Sequence, residues 1–177
     1  MTEWFHSVRF DPESHDVAGF TSGEPALDQW LREHAASEDR RGHSRTFVWT
    51  DGAGWVVGYY TLSAHKVARE SIPNRLGRGG PREIPATLIG KLALGSELRG
   101  RGLGVVLLAD ALERIIVAAE QVAAKLVVVD ALREEVAGWY VSLGFQRVPG
   151  SLVLVLPIKD AAAARAQSPS GSPLSSD

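Results

Sequence analysis

Residues Lys91 to Gly104 read KLALGSELRGRGLG, and the rest of the chain has to be arranged around them. Leu92, Ala93 and Leu94 close an apolar run of the kind a buried strand uses, and Gly95-Ser96 breaks it. After Arg99-Gly100-Arg101-Gly102-Leu103-Gly104, apolar residues recur at helical spacing through Leu103, Leu107, Ala111 and Ile115. A strand, a glycine-rich turn and a helix N-terminus form an anion cradle. Glycine lets the backbone approach a ligand closely, while the unpaired N–H groups of the first helical turn and the helix dipole favour negative charge. Spacing narrows the ligand. A nucleoside-triphosphate loop needs Lys-Ser or Lys-Thr after its last glycine, whereas Gly104 precedes Val105-Val106. A dinucleotide fingerprint needs G-x-G-x-x-G, and here the glycines fall at Gly100, Gly102 and Gly104.

The chain's 177 residues are enough for one domain with its own core. No apolar run approaches the ~18 residues of a membrane span, and the opening MTEWFHSVRF lacks the basic-then-apolar layout of a signal peptide. Cysteine is absent, which excludes disulfides, thiolate metal sites and a cysteine nucleophile. His6, His15, His34, His43 and His65 show no metal-ligand spacing. A cytoplasmic protein without a metal or a membrane partner is therefore expected. The net charge of −2 conceals an uneven distribution: residues 1–39 carry two basic and nine acidic side chains, residues 40–101 eleven basic and four acidic. Fifteen of the nineteen basic residues are arginine, which suits phosphate contacts.

Along the chain, a short strand is expected around Val8 to Phe10. A helix follows in which Ser22 or Gly23 serves as cap, Pro25 opens the first turn, and Ala26, Leu27, Trp30, Leu31 and His34 share a face. Ser37 to Ser44 reads as a short helix or a loop. Arg45 to Thr50 and Trp55 to Ser63 alternate as a hairpin across Asp51-Gly52-Ala53-Gly54. Residues 64–85, rich in glycine and proline, read as a long loop of functional character. Then come a strand (Ala86 to Leu94), a helix (Gly102 to about Ala123), a β-rich run (Lys125 to Val129), a helix (Glu134 to Leu143) and closing strands at Phe145 to Val148 and Leu152 to Leu156. This order is α/β, a mixed central sheet flanked by helices, in a single domain over residues 1–159. The tail, 160–177, lacks a core pattern and is expected to be disordered.

Arg99, Gly102 and Gly104 occupy the places of Arg/Gln-x-x-Gly-x-Gly/Ala, and Trp139-Tyr140-Val141-Ser142-Leu143-Gly144-Phe145 follows in the right order. Together these resemble the pyrophosphate loop and the later aromatic element of the GNAT acetyltransferases. The resemblance implies the GNAT fold and acetyl-CoA as co-substrate. Leu92, Ala93 and Leu94 would offer backbone groups to the pantetheine arm, and Arg99, Gly100, Arg101, Gly102, Leu103 and Gly104 would cradle the pyrophosphate. Tyr140 would be the catalytic residue, protonating the departing thiolate.

A narrower resemblance covers about residues 16–158. Phe20 to Leu31 (FTSGEPALDQWL), Arg45-Thr46-Phe47-Val48, Gly58 to Ser63 (GYYTLS), Ile84-Pro85-Ala86, Leu107 to Leu112 (LLADAL) and Val129-Asp130-Ala131-Leu132 look like GNAT toxins of the TacT type. That resemblance implies acetylation of the α-amine of an aminoacyl-tRNA, a ribbon-helix-helix antitoxin as partner, and a homodimer. The tRNA contacts it suggests in this chain are Arg40, Arg41 and Arg45, then Arg75, Arg78 and Arg82, with Lys91 beside the cofactor strand. Two residues depart from the pattern: Gly95 stands where this branch usually has an acidic residue, and Gly138 interrupts the helix leading to Tyr140. Acetylation of a protein N-terminus, a lysine or a small amine is the alternative, and would call for an acidic pocket. A CoA-binding regulator without turnover is a third reading.

Overall fold

The structure, a computed structural model, describes residues 7–167. In chain order the elements are β1 (Val8–Arg9), α1 (Pro25–Glu33), α2 (Ala35–Arg41), β2 (Arg45–Thr50), β3 (Val56–Ala68), α3 (Asn74–Gly77), β4 (Glu83–Leu94), α4 (Leu103–Ala119), β5 (Leu126–Asp130), α5 (Glu134–Ser142), β6 (Gln146–Arg147), β7 (Val153–Pro157) and α6 (Ile158–Gln167). The strands form one sheet in the order β1-β2-β3-β4-β5-β7-β6. Only β4 and β5 run parallel. They are joined through α4, the crossover that a parallel pair requires.

Alternation along the strands divides the core between two faces. On one face Trp49, Tyr60, Val127, Val129 and Leu154 pack against Leu107, Ala111 and Ile115 of α4, with α5 and α6 beside them. On the other, Phe20, Leu31 and Ala35 cover Val48 and Tyr59. Further along that second face Ile72 and Leu76 cover Val67, Ile84, Leu126 and Val128. A polar group ties the start of the described chain to α4. The Ser7 hydroxyl meets the Tyr60 hydroxyl at 2.8 Å, Tyr60 donates to Asp110 at 2.7 Å, and Arg114 donates to Ser7.

Three expectations change. Residues 64–85 are not a long loop: β3 continues to Ala68 and β4 begins at Glu83, paired residue by residue. The glycines and prolines are concentrated in a short excursion, 69–82, which Ile72 and Leu76 pin to the sheet and the Arg69 N–H closes on the Arg82 carbonyl at 2.8 Å. Pro85 is tolerated inside β4 because ladder bonds to β3 fall on the alternate residues, so its missing N–H faces away from that neighbour. At α1, Glu24 takes the cap position, and Ser22 instead donates from its N–H (2.9 Å) and hydroxyl (2.5 Å) to the buried Asp28 carboxylate. In the tail, residues 158–167 are helical because Ile158 and Ala161 find the α4 face to bury against. The remaining part of the expected disordered tail, 168–177, lies outside the described residues.

Gly138 lies in α5 with open space where a Cβ would stand. We expect Gly138→Ala to raise stability by about 0.5–1 kcal/mol, measured by urea unfolding. An unchanged or lowered midpoint would mean that this helix needs its glycine.

Candidate active site

The sheet opens at one residue. Register between β3 and β4 slips between Thr61 and Leu62, so that Leu62 faces Ile89, Thr61 faces Lys91, and Gly90 is the extra residue of a bulge. Burial shows the consequence. Ile84, Ala86 and Leu88 lie on the α1 side before the bulge; after it Ala93 does, while Leu92 and Leu94 turn to the α4 side. Parity switches for the backbone as well. The Gly95 N–H bonds the Val57 carbonyl at 2.8 Å, so ladder bonds to β3 fall on residues 91, 93 and 95. The N–H and C=O groups of Leu92 and Leu94 therefore point away from β3. On that side β5 has stopped pairing, because the last partners are Ile89 and Val129. The result is a cavity of about 530 Å³ running between the separated strands.

The glycine loop closes one end of this cavity. Gly100 and Gly102 have φ of +77° and +73°, and Gly102 caps α4 without any side-chain bond. The first-turn N–H groups of α4 are thus left for a ligand. Gly102, Leu103 and Gly104 line the cavity, as do Leu92, Ala93, Leu94, Arg99 and Gly100. Arg101 is exposed and is not in the lining. Arg99 turns its guanidinium to the Ser22 carbonyl, tying the loop to the start of α1. At Gly95 a Cβ would come within 2.6 Å of the Glu97 carboxylate, so the acidic residue usual in this branch would displace Glu97 here.

Tyr140 forms part of the opposite wall. Its ring is 6 % exposed and sits edge-on between Trp139 (4.9 Å) and Phe145 (5.2 Å). The hydroxyl has no hydrogen-bond partner among the described residues. Burial pushes it above the ordinary phenol range, so it stays protonated and available as an acid. Lys91 lies on the α1 side, its ammonium 4.4 Å from the centre of the Trp30 ring, and burial pulls its pKa down. Sequence reasoning missed Gly90, Glu24, Asp130, Arg133 and Trp139, all at the cavity. An isolated glycine inside a strand pattern was a usable signal for the bulge.

No family model matches the chain. It is 40% identical over 152 residues to the tRNA-acetylating toxin of Mycobacterium tuberculosis, covering 85% of this chain and 91% of that one. It is 33% identical over 159 residues to the probable toxin TacT of Sinorhizobium fredii, covering 84% and 88%. The chain belongs to the GNAT toxin family. Two solved structures agree with it in fold. AtaT complexed with acetyl-methionyl-tRNAfMet superposes with a TM-score of 0.82 at 27% identity, over 90% of this chain and 98% of that one. A tyrosine-to-phenylalanine mutant of AtaT, bound to the C-terminus of the antitoxin AtaR and acetyl-CoA, superposes with 0.78 at 26%, over 91% and 98%.

Within this family fold, the arginines expected to contact tRNA fall into two separate groups. Arg45 starts β2 in the row of Leu62 and Ile89, level with the bulge, and Arg40 and Arg41 end α2 beside it. Arg45 is engaged, donating to the Asp39 carbonyl at 2.6 Å. A hydrogen bond from Arg9 holds the Asp39 carboxylate below its usual range. Arg75, Arg78 and Arg82 lie in the 69–82 excursion, at the other end of β4 from the glycine loop. Arg75 donates to Gln146, whereas Arg78 and Arg82 have exposed side chains without a partner among the described residues. The cavity lining carries Glu24, Asp130 and Glu135 against Lys91, Arg99 and Arg133. It is not the acidic pocket that the small-amine alternative called for. Among the described residues no group of three or more acidic or histidine side chains could hold a metal, and no helix is long and apolar enough to cross a membrane.

The loop can be tested directly. Aspartate is one of the few side chains that enters the left-handed region at modest cost, so Gly102→Asp is expected to fold while placing a negative charge in the cradle. Acetyl-CoA affinity, read by calorimetry, is expected to fall at least about tenfold, a loss of about 1.4 kcal/mol. Unchanged affinity in a folded variant would remove the loop from the site.

Proposed function

We propose that this chain moves the acetyl group of acetyl-CoA to the α-amine of an aminoacyl-tRNA and so acts as the translation-blocking toxin of a toxin–antitoxin pair. The observation that carries this reading is the opening between β4 and β5. It has exposed strand backbone along one side, an uncapped glycine loop at one end and a protonated tyrosine in its wall, in a chain 40% identical to a tRNA-acetylating toxin. The AtaT structures with acetylated tRNA, and with acetyl-CoA and antitoxin, support the same acceptor, co-substrate and kind of partner. The antitoxin is of the ribbon-helix-helix type, the toxin is a homodimer, and both work in the cytoplasm.

Few catalytic groups are needed. An α-amine titrates at about 7.7–8.0, so a useful fraction is the free, nucleophilic form near neutrality and no strong base is needed. Its lone pair forms the C–N bond at the acetyl carbonyl. A backbone N–H at the end of the Leu92–Leu94 strand, unused by β3, stabilises the oxyanion. Collapse breaks the C–S bond, and the sulfur takes the proton of Tyr140. The proton shed by the nitrogen replaces it. A thiolate of cysteine-like pKa, about 8.5, gains from such a donor. Lys91, Arg40, Arg41, Arg45, Arg75, Arg78 and Arg82 meet the phosphates of the tRNA.

Incubation of charged tRNA with the protein and labelled acetyl-CoA tests this function. Label is expected on the aminoacyl group; unlabelled tRNA beside a labelled peptide or free amine would overturn the reading. Tyr140→Phe keeps the ring packing and is expected to lower kcat by roughly 100- to 10,000-fold with acetyl-CoA affinity retained. Near-normal turnover would show that the thiolate leaves by another route. For the acceptor, Arg78→Ala with Arg82→Ala is expected to weaken tRNA binding. The pair should also flatten the slope of log affinity against log salt by roughly 1 for each phosphate no longer neutralised. A slope identical to the unaltered protein's would take the excursion out of the tRNA footprint.

A further inference from the structure

Among the described residues six charged side chains line the opening, and five are already engaged. Glu24 and Arg133 form an ion pair, Arg133 also approaches Glu135 at 3.6 Å, Arg99 donates to the Ser22 carbonyl, and Lys91 lies over Trp30. Asp130 is the exception. Its carboxylate has no hydrogen bond or ion pair among the described residues, although Asp130 is the last residue of β5 and follows directly on the Ile89–Val129 pair where the strands part. Its side is also fixed. Leu126 and Val128 face the α1 side of the sheet, while Val127 and Val129 face α4, so alternation turns Asp130 to the α1 side. The glycine loop and Tyr140 belong to the α4 side.

We propose that Asp130 is the positioning residue for the acceptor amine: its carboxylate receives the α-ammonium group of the aminoacyl end as it reaches the thioester from the α1 side. This rests on the aminoacyl-tRNA reading given above. An unpaired carboxylate at the rim of the opening matches the single positive charge of the acceptor, and the opposite side of the sheet is left to the anionic donor. The contact is a charge-assisted hydrogen bond, stronger and more directional than a neutral one. It holds the nitrogen until a proton is lost to water and the free amine attacks. An opposite charge at this range also favours the protonated amine, so the bound amine titrates higher than it would alone.

Asp130→Asn keeps shape and hydrogen bonding but removes the charge. With charged tRNA as acceptor, KM is expected to rise roughly ten- to a hundredfold, while acetyl-CoA affinity and thermal midpoint stay unchanged. Because the carboxylate raises the pKa of the bound amine, its loss should move the rising limb of the kcat–pH profile to lower pH by roughly one unit. A merely structural role would leave that limb in place. A tRNA carrying an α-hydroxyacyl group, which lacks the ammonium, should compete less well than aminoacyl-tRNA against the unaltered protein and equally well against Asp130→Asn. Asp130→Glu should restore part of the discrimination. If the unaltered protein labels charged tRNA and Asp130→Asn keeps its KM, its pH limb and its preference over the hydroxyacyl analogue, the assignment of Asp130 is wrong and the acceptor reading survives. If the unaltered protein does not label charged tRNA, the acceptor reading itself falls.

Discussion

A single extra residue in β4 determines where this sheet opens. The bulge at Gly90 bends the strand away from β5 and switches which backbone groups face outward. Without it, the ladder bonds to β3 would continue on the same parity, and Leu92 and Leu94 would lose their outward-facing N–H and C=O groups. With it, a sheet that is continuous from β1 to β6 has one opening, lined by strand backbone instead of side chains. Backbone is well suited to holding an extended, nearly uncharged arm such as pantetheine, since its hydrogen-bonding groups repeat at a fixed spacing along the strand.

The opening gives the site two sides of different character. On the α4 side the helix dipole and first-turn N–H groups supply fixed partial positive charge, and burial keeps the Tyr140 hydroxyl protonated. On the α1 side stand Lys91 and Asp130, with Glu24 and Arg133 bridging the mouth from α1 to the start of α5. On the reading proposed here, donor and acceptor approach from opposite sides of one sheet. Arg99 is the link between them, since it joins the loop to the Ser22 turn that precedes α1.

What the sequence disclosed was local. The glycine loop, the strand before it and Tyr140 are contiguous motifs whose chemistry can be read without knowing what lies opposite, and each lines the cavity. What it concealed depended on pairing across the sheet. Asp130 gained significance only once β5 was seen to part from β4 at the preceding residue. Nothing local to Arg45 disclosed that Asp39, six positions away, would turn back and pair with it. Residues 64–85 read as loop because the glycines and prolines of its tip outweighed a strand pattern whose partners were already present in the same segment. Similarly, the helix at 158–167 has little amphipathic pattern of its own and forms where α4 offers a surface.

The strand order has a consequence for when the opening is assembled. β7, the last of the described strands in chain order, does not add to an edge but inserts between β5 and β6. Until residues 153–157 leave the ribosome, β5 lacks one of its two neighbours and Leu154 is missing from the cluster that packs Tyr140. Domains fold as units as they emerge, so the opening takes its final form only once β7 has joined β5. A chain that stops short of β7 therefore has the glycine loop and Tyr140 but not the packed sheet that sets them across from each other.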